Sequence, residues 1–151
     1  MSTKNICVIG AGYWGKNHIR TLYELGALGG IVETNREVLS ELSSIYPDVK
    51  TYSQLDDALT NDEFAGFTIA TPAQYHYKLA KLVIEKGKSV LVEKPFTLDS
   101  KEAKHLKELS ESMKVNLMVG HVLLFHPAIQ KIKQLITGGK IGTLQYIYSN
   151  R

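Results

Sequence analysis

The stretch Gly10–Gly15, GAGYWG, directly follows the apolar run Ile6–Ile9, ICVI, and its reading decides the fold. Three glycines in a G-x-G-x-x-G pattern fit many turns, so their meaning depends on what flanks them. Before them, KNICVIG reads as a buried strand. After them, WGKNHIRTLYELG sets Ile19, Leu22 and Leu25 at near-helical spacing and meets a stop at Gly26, so a helix is expected.

The same alternation continues outward. LGGIVE reads as a second strand, and REVLSELSSIY as a helix with Val38, Leu39, Leu42 and Ile45 on one stripe, ended by Pro47. VKTY is a short third strand, and SQLDDALT a single helical piece with Ser53 as its N-cap. GFTIAT is a fourth strand, and beyond Thr71 and Pro72 a helix buries Leu79, Leu82, Val83 and Ile84 and closes at Gly87. SVLVEK makes the fifth strand and runs into Pro95. In TLDSKEAKHLKELSESM, Asp99 and Glu102 have capping-box spacing, and Ala103, Leu106 and Leu109 form a narrow inward stripe. VNLMVG is the sixth strand. Nearly continuous apolar strands suit a parallel sheet covered on both faces, so the fold class is α/β, a Rossmann-type doubly wound sheet spanning residues 1–121.

Composition fits that reading. The chain has 151 residues, 44% of them hydrophobic and 22% charged, with a net charge of +3, values of a globular domain rather than a disordered or fibrous chain. Its lysines and arginines are dispersed, and the densest stretch interleaves them with glutamates as on a solvated helix face, which argues against a nucleic-acid surface. The first residues lack a secretory apolar core, and no segment approaches the ~20 apolar residues of a membrane span, so a cytoplasmic protein without a membrane partner is expected. Cys7, the single cysteine, lies within the first strand and reads as a small buried hydrophobe.

The C-terminal part is organised differently. Pro127 opens a helix, PAIQKIKQLI, with Ile129, Ile132 and Ile136 on its apolar side, and GGKIG ends this connecting segment, residues 122–142. In TLQYIYSNR, residues 143–151, Leu144, Tyr146 and Tyr148 alternate with Gln145, Ile147 and Ser149. Two readings stand: the first strand of a second, truncated α/β domain, or a terminal edge strand of the first sheet. An unpaired apolar strand over Ile141–Tyr148 also predicts self-association, hence a homo-oligomer.

In a strand–turn–helix unit, Gly10 permits the tight turn, Gly12 lets the backbone approach a pyrophosphate, and Gly15 lets helix and strand pack closely. The helix N-terminus then offers free N–H groups to the phosphates. Glu33 lies eighteen positions past Gly15, near the ~20-residue offset of the ribose-binding acid. Its carboxylate accepts hydrogen bonds from ribose hydroxyls and repels a 2′-phosphate, which favours NAD over NADP; Arg36 pulls the other way, since a guanidinium accommodates that phosphate or stacks on adenine. Ligands of open α/β sheets bind at the carboxyl ends of strands, which selects Thr71, Pro72 and His76 after strand four and Glu93, Lys94 and Pro95 after strand five. Lys94 is either an ordinary surface lysine or a cation offered to a substrate hydroxyl or cofactor ribose, with Glu93 holding it in place. His121, at the end of strand six, is a candidate to face the ligand cleft. With His126 it makes too sparse a set for a metal, so no metal is expected. His105 reads as solvated and His18 as a packing residue.

GAGYWGKNHIRTL, ATPAQYH, VEKPFTLD and GHVLLFHPAIQKIKQLITGGKIG, leading into TLQYIYSNR, together resemble the glucose-fructose oxidoreductase, inositol dehydrogenase and rhizopine catabolism family, Gfo/Idh/MocA, over essentially all 151 residues. The glycine fingerprint and EKP at this distance are specific in combination. The resemblance implies NAD(P)-dependent oxidation or reduction of a sugar, nucleotide-sugar or cyclitol hydroxyl, carried out between this domain and a larger C-terminal α/β domain. It implies that Tyr13, Trp14, Glu33, Thr71, Pro72, His76 and Glu93 line the cofactor and that Lys94 sits near the reacting carbon. The GHVLLFHP and IGTLQYIYSNR segments resemble bacterial nucleotide-sugar 3-dehydrogenases. The family's acid/base histidine lies beyond Arg151, so cofactor binding without turnover is expected of these residues. Family members also carry asparagine or arginine after the glycine that ends strand six, where this chain has Val122, Leu123 and Leu124. A reading from another class is a stand-alone regulatory module that senses a dinucleotide without catalysis.

Overall fold

The computed structural model describes residues 5–150, which fall into two compact units divided between Gly120 and His121. Lys4 and Arg151, at the ends of the expected first and last strands, lie outside the described residues. The first unit holds six strands: β1 (Ile6–Ile9), β2 (Leu28–Val32), β3 (Lys50–Tyr52), β4 (Gly66–Ile69), β5 (Ser89–Val92) and β6 (Leu117–Val119). They form one sheet in the order β3-β2-β1-β4-β5-β6, and every pairing is parallel. This is the expected doubly wound α/β arrangement. The chain reverses direction across the sheet between β1 and β4, and a crevice opens outside the carboxyl ends of strands at such a switch point.

Five helices cover the sheet: α1 (Tyr13–Glu24), α2 (Arg36–Ile45), α3 (Leu55–Leu59), α4 (His76–Glu85) and α5 (Ser100–Met113). Side chains alternate across β1, and the alternation divides the core in two. Val8 packs with Ile19 of α1, Leu28 and Ile31 of β2 and Leu42 of α2. Cys7 and Ile9 pack on the other face with Ala58 of α3, Phe67 and Ile69 of β4, Val83 and Ile84 of α4 and Leu106 of α5. Each large apolar side chain buried there contributes about 1.5–3 kcal/mol before entropy is set against it.

Local chemistry fixes the helix ends. Asn35 caps α2 by accepting from the N–H groups of Glu37 and Val38, and Asp99 caps α5 by accepting from Lys101. Gly26 and Gly87 take φ of +68° and +69° just past α1 and α4, where a side chain would be strained. Ser53 does not cap α3: that helix begins at Leu55, and Gln54 stands at the cap position without a side-chain bond. Leu25 and Ile45, expected on inward stripes, are 72% and 54% exposed. Each stands at or past its helix end, where helical periodicity no longer dictates which side a residue faces. A single turn of 3-10 helix, Ala73–Tyr75, precedes α4.

The second unit contains a 3-10 turn, Val122–Phe125, and α6 (Pro127–Thr137). His126 caps α6, its Nδ1 accepting from the Ala128 N–H at 3.2 Å. Ile129 and Ile132 of the apolar side are exposed. The strand expected over TLQYIYSNR is not formed: residues 143–150 carry no strand pairing among the described residues. Alternation alone does not make a strand, because the backbone groups need a neighbouring strand to bond. No helix among the described residues is long and apolar enough to cross a membrane.

Candidate dinucleotide site

The three glycines of the opening turn serve different ends. Gly10 sits at φ +89° and donates its N–H to the Val32 carbonyl at 2.9 Å. A Cβ there would lie 2.9 Å from Thr71 Cγ2 and 3.1 Å from the Ala70 carbonyl oxygen. At Gly15 a Cβ would stand 2.0 Å from the Gly10 carbonyl oxygen, so helix and turn approach as closely as they do only because no side chain intervenes. At Gly12 a Cβ would meet nothing within 4 Å. The fold needs the first and third glycines, whereas the second leaves space in front of α1. Gly12 also occupies the N-cap of α1 without a side-chain bond, so the amides of that first turn are not capped as those of α2 and α5 are.

The space in front of the turn is a cleft of about 610 Å³ lined by Gly10, Gly12, Glu33, Thr71 and Pro72, as the sequence predicts. Glu33 is half-buried and pinned. Its Oε2 accepts from the Ala11 N–H at 2.8 Å, and its Oε1 accepts from the Asn35 N–H at 2.9 Å and the Thr34 hydroxyl at 3.4 Å. Carboxylate oxygens keep further lone pairs, so this orientation still admits incoming hydroxyls. The Thr71 hydroxyl is buried at the cleft and has no hydrogen-bond partner among the described residues. Gln54, Leu55 and Asp56 at the start of α3, Tyr75 of the 3-10 turn, and Lys78, Leu79 and Leu82 of α4 also line it. Sequence reasoning missed this group. Leu79 and Leu82 carry a helical apolar signal, but that signal does not distinguish a side facing a core from one facing a cleft.

At the carboxyl end of β5 two consecutive residues part. Glu93 is buried, with Oε1 2.8 Å from His18 Nε2 and Oε2 accepting from the Lys94 backbone N–H at 3.1 Å. Gly120 provides room for it, since a Cβ there would fall 3.1 Å from Oε2. Lys94 is exposed, and its Nζ lies 5.9 Å from the centroid of the Trp14 ring. The expectation that Glu93 holds the Lys94 side chain is therefore corrected: the carboxylate reaches only the backbone of Lys94, because His18 has taken its other oxygen. His18 likewise is no simple packing residue.

His76 is corrected too. It is 1% exposed, with Nδ1 2.8 Å from the Pro95 carbonyl oxygen and Nε2 2.8 Å from that of Thr71, so it braces the turns after β4 and β5 from inside instead of lining the cleft. Tyr13 and Trp14 meet edge to face with ring centroids 6.0 Å apart, Tyr13 being largely exposed. Arg36 is exposed at the first turn of α2 and is not part of the cleft wall. His121 is exposed in the second unit. His105, expected to be merely solvated, has Nδ1 3.1 Å from the Tyr77 hydroxyl. Burial pushes the Cys7 thiol far above its ordinary pKa, so it carries no nucleophile. Among the described residues no cluster of three or more His, Cys, Asp or Glu side chains is placed to hold a metal ion.

A glycine turn ahead of an uncapped helix, an acid at the end of β2 and a cleft at the switch point define a dinucleotide-binding domain. Residues 4–121 match the oxidoreductase family Gfo/Idh/MocA, NAD-binding Rossmann fold, and the chain belongs to that family. It is 32% identical over 127 residues to UDP-N-acetylglucosamine 3-dehydrogenase of Acidithiobacillus ferrooxidans, a match covering 84% of this chain and 40% of that protein. Inositol 2-dehydrogenase of Corynebacterium glutamicum is 28% identical over 141 residues, covering 91% of this chain and 42% of the relative. The crystal structure of GenD2 from gentamicin A biosynthesis in complex with NAD aligns with a TM-score of 0.84 at 28% identity, over 90% of this chain and 39% of that one. The chain thus spans about two fifths of the length of these proteins.

Proposed function

We propose that residues 5–120 hold NAD in the cleft and form the cofactor-binding part of a dehydrogenase acting on a hydroxyl of a sugar, nucleotide sugar or cyclitol. Gly12 carries the reading. Its missing side chain answers no need of the fold, and it opens the approach to unpaired helix amides, an arrangement that suits a pyrophosphate. The partnerless Thr71 hydroxyl in the same cleft fits a ligand rich in oxygen acceptors.

In this reading the amides at the start of α1 hold the phosphates, and Glu33, fixed by Ala11 and Asn35, accepts from the adenosine ribose. Its negative charge disfavours a 2′-phosphate, so NADH binds more tightly than NADPH. Leu55, Leu79 and Leu82 give adenine an apolar slot. Lys94 presents an ammonium near the reacting carbon. The nicotinamide, when bound, supplies the hydride donor or acceptor. We assign the acid/base that exchanges the hydroxyl proton to the part of the relatives' length that this chain does not span. The names of the relatives, a nucleotide-sugar 3-dehydrogenase and an inositol 2-dehydrogenase, support the substrate class. Residues 121–150, with Leu123, Phe125, Ile141 and Tyr146 exposed, suit association with further protein, a second copy included.

Titration of NADH against the wild-type chain and Gly12→Val tests the site. The expected result is a loss of affinity of about a hundredfold, ~2.7 kcal/mol, with a loss of stability of about 1 kcal/mol at most. Equal affinities would remove the glycine turn from the binding site.

A further inference from the structure

We infer that His18 is a positioning residue for Lys94: by taking the Glu93 carboxylate it keeps that carboxylate off the neighbouring ammonium, which stays uncompensated for a ligand. This deepens the proposed dehydrogenase reading and rests on it for the use made of Lys94.

The geometry begins with one turn of helix. Trp14 and His18 are four residues apart on α1, so they share a face one above the other. That face takes hold of two consecutive residues at the end of β5 by different chemistry. The imidazole of His18 meets Glu93 Oε1 at 2.8 Å, and the indole of Trp14 lies under Lys94 Nζ at 5.9 Å. The second carboxylate oxygen is occupied by the Lys94 backbone N–H at 3.1 Å. Glu93 is 6% exposed, so its charge has little water to draw on and depends on these partners. The Lys94 ammonium makes no ion pair with a carboxylate of the described residues.

A buried carboxylate deprived of His18 would seek the nearest cation. Lys94 is covalently adjacent, carries three rotatable donors on a flexible stem, and already lies at the same strand end. Pairing with Glu93 would neutralise it and draw it away from Trp14. His18 thus does for Lys94 what a spacer does, separating two opposite charges that the sequence sets side by side. Gly120 serves the same end, because any Cβ there would press on the carboxylate. The helix that begins at the glycine turn therefore also sets the state of the cation that follows β5.

The test reads Trp14, the only tryptophan in the chain, in the absence of cofactor. His18→Leu is expected to shift Trp14 emission as Lys94 leaves the ring, and to weaken NADH binding about threefold to tenfold. The double variant His18→Leu/Glu93→Gln is expected to regain the wild-type emission, since no charge remains to capture Lys94. His18→Gln, whose amide still donates to Glu93, is expected to keep it. General loosening of α1 would shift the emission in both His18→Leu chains alike, and that outcome would overturn the inference, as would an unshifted emission in His18→Leu. If His18→Leu does not fold by circular dichroism, His18→Asn with and without Glu93→Gln provides the same comparison. Failure of Gly12→Val to weaken NADH binding would remove the cofactor reading while leaving the emission result to stand or fall separately.

Discussion

Two parts of the first unit treat their polar groups in opposite ways. Beside the glycine turn, the Glu33 carboxylate accepts from Ala11, Asn35 and Thr34, so the acceptor is served by the fold itself. After β4 and β5 donors are left over: among the described residues the Thr71 hydroxyl, at the cleft, has no hydrogen-bond partner, and the Lys94 ammonium, outside the cleft wall, makes no ion pair and lies over the Trp14 ring. The amides at the start of α1, uncapped, belong with that surplus. Spare donors in one place and a fixed carboxylate with lone pairs to spare in the other suit a ligand that carries both phosphate oxygens and ribose hydroxyls, as a dinucleotide does.

The sharpest way to break that comparison separates glycines needed by the fold from the one needed by the ligand. Gly15→Ala should destabilise the chain by about 3 kcal/mol or more, since its Cβ would enter the Gly10 carbonyl, whereas Gly12→Ala should cost within about 1 kcal/mol in a denaturant melt. Equal losses would mean that both glycines serve only the turn. Cys7 lies on β1, the strand that leads into the glycine turn, and its buried thiol should react with a maleimide at least about a hundredfold more slowly in the native chain than in denaturant. Rapid native labelling would show that the strand carrying the turn opens. Thr71→Val should move two measurements in opposite directions: stability unchanged or raised by about 1 kcal/mol because a buried unpaired hydroxyl is lost, and NADH affinity lowered about fivefold. A loss of stability would give the hydroxyl a partner in the fold and take it out of the surplus.

The smallest effect is expected away from the cleft, at the exposed Lys50–Glu63 pair. The hydrogen bond to Lys50 holds the Glu63 carboxyl below its usual range, and the bond to Glu63 raises Lys50 above its own. The Glu63 contribution is therefore lost as pH falls through its lowered pKa, and the Lys50 contribution as pH rises through its raised one. Between those limits Lys50→Ala should leave the melting temperature nearly unchanged, because solvent screens an exposed pair. A large drop would show that surface charge, and not the cleft, is where this fold stores its electrostatics.

Most of the fold was legible because its signals are local. Six apolar runs became six strands, and Asn35, Asp99, Gly26 and Gly87 punctuate their helices through bonds to near neighbours or backbone sterics. The cleft's wall was legible where a motif fixes spacing: Gly10, Gly12, Glu33 and Thr71 line it, and Gly15 lets α1 approach the turn. Legibility failed where residues far apart in sequence meet. His18 and Glu93 are 75 positions apart, and no periodicity announces their contact. His76 sits in a recognisable ATPAQYH stretch, but which way its ring turns depends on the Pro95 carbonyl 19 residues on. The TLQYIYSNR segment shows the converse: a clear alternation that forms no strand in the described residues, because pairing is a property of two segments and not of one.

β1 is the shared wall of both cores, with Val8 on one side and Cys7 and Ile9 on the other. Its pairing with β2 can form once residues near Leu28 exist, but its other edge pairs with β4, which begins at Gly66. During synthesis at about 5–20 residues per second, the centre of the finished sheet would spend seconds as an open edge. The strand that carries the glycine turn is thus buried in the mature domain, yet one of its edges stays unpaired until β4 has been made.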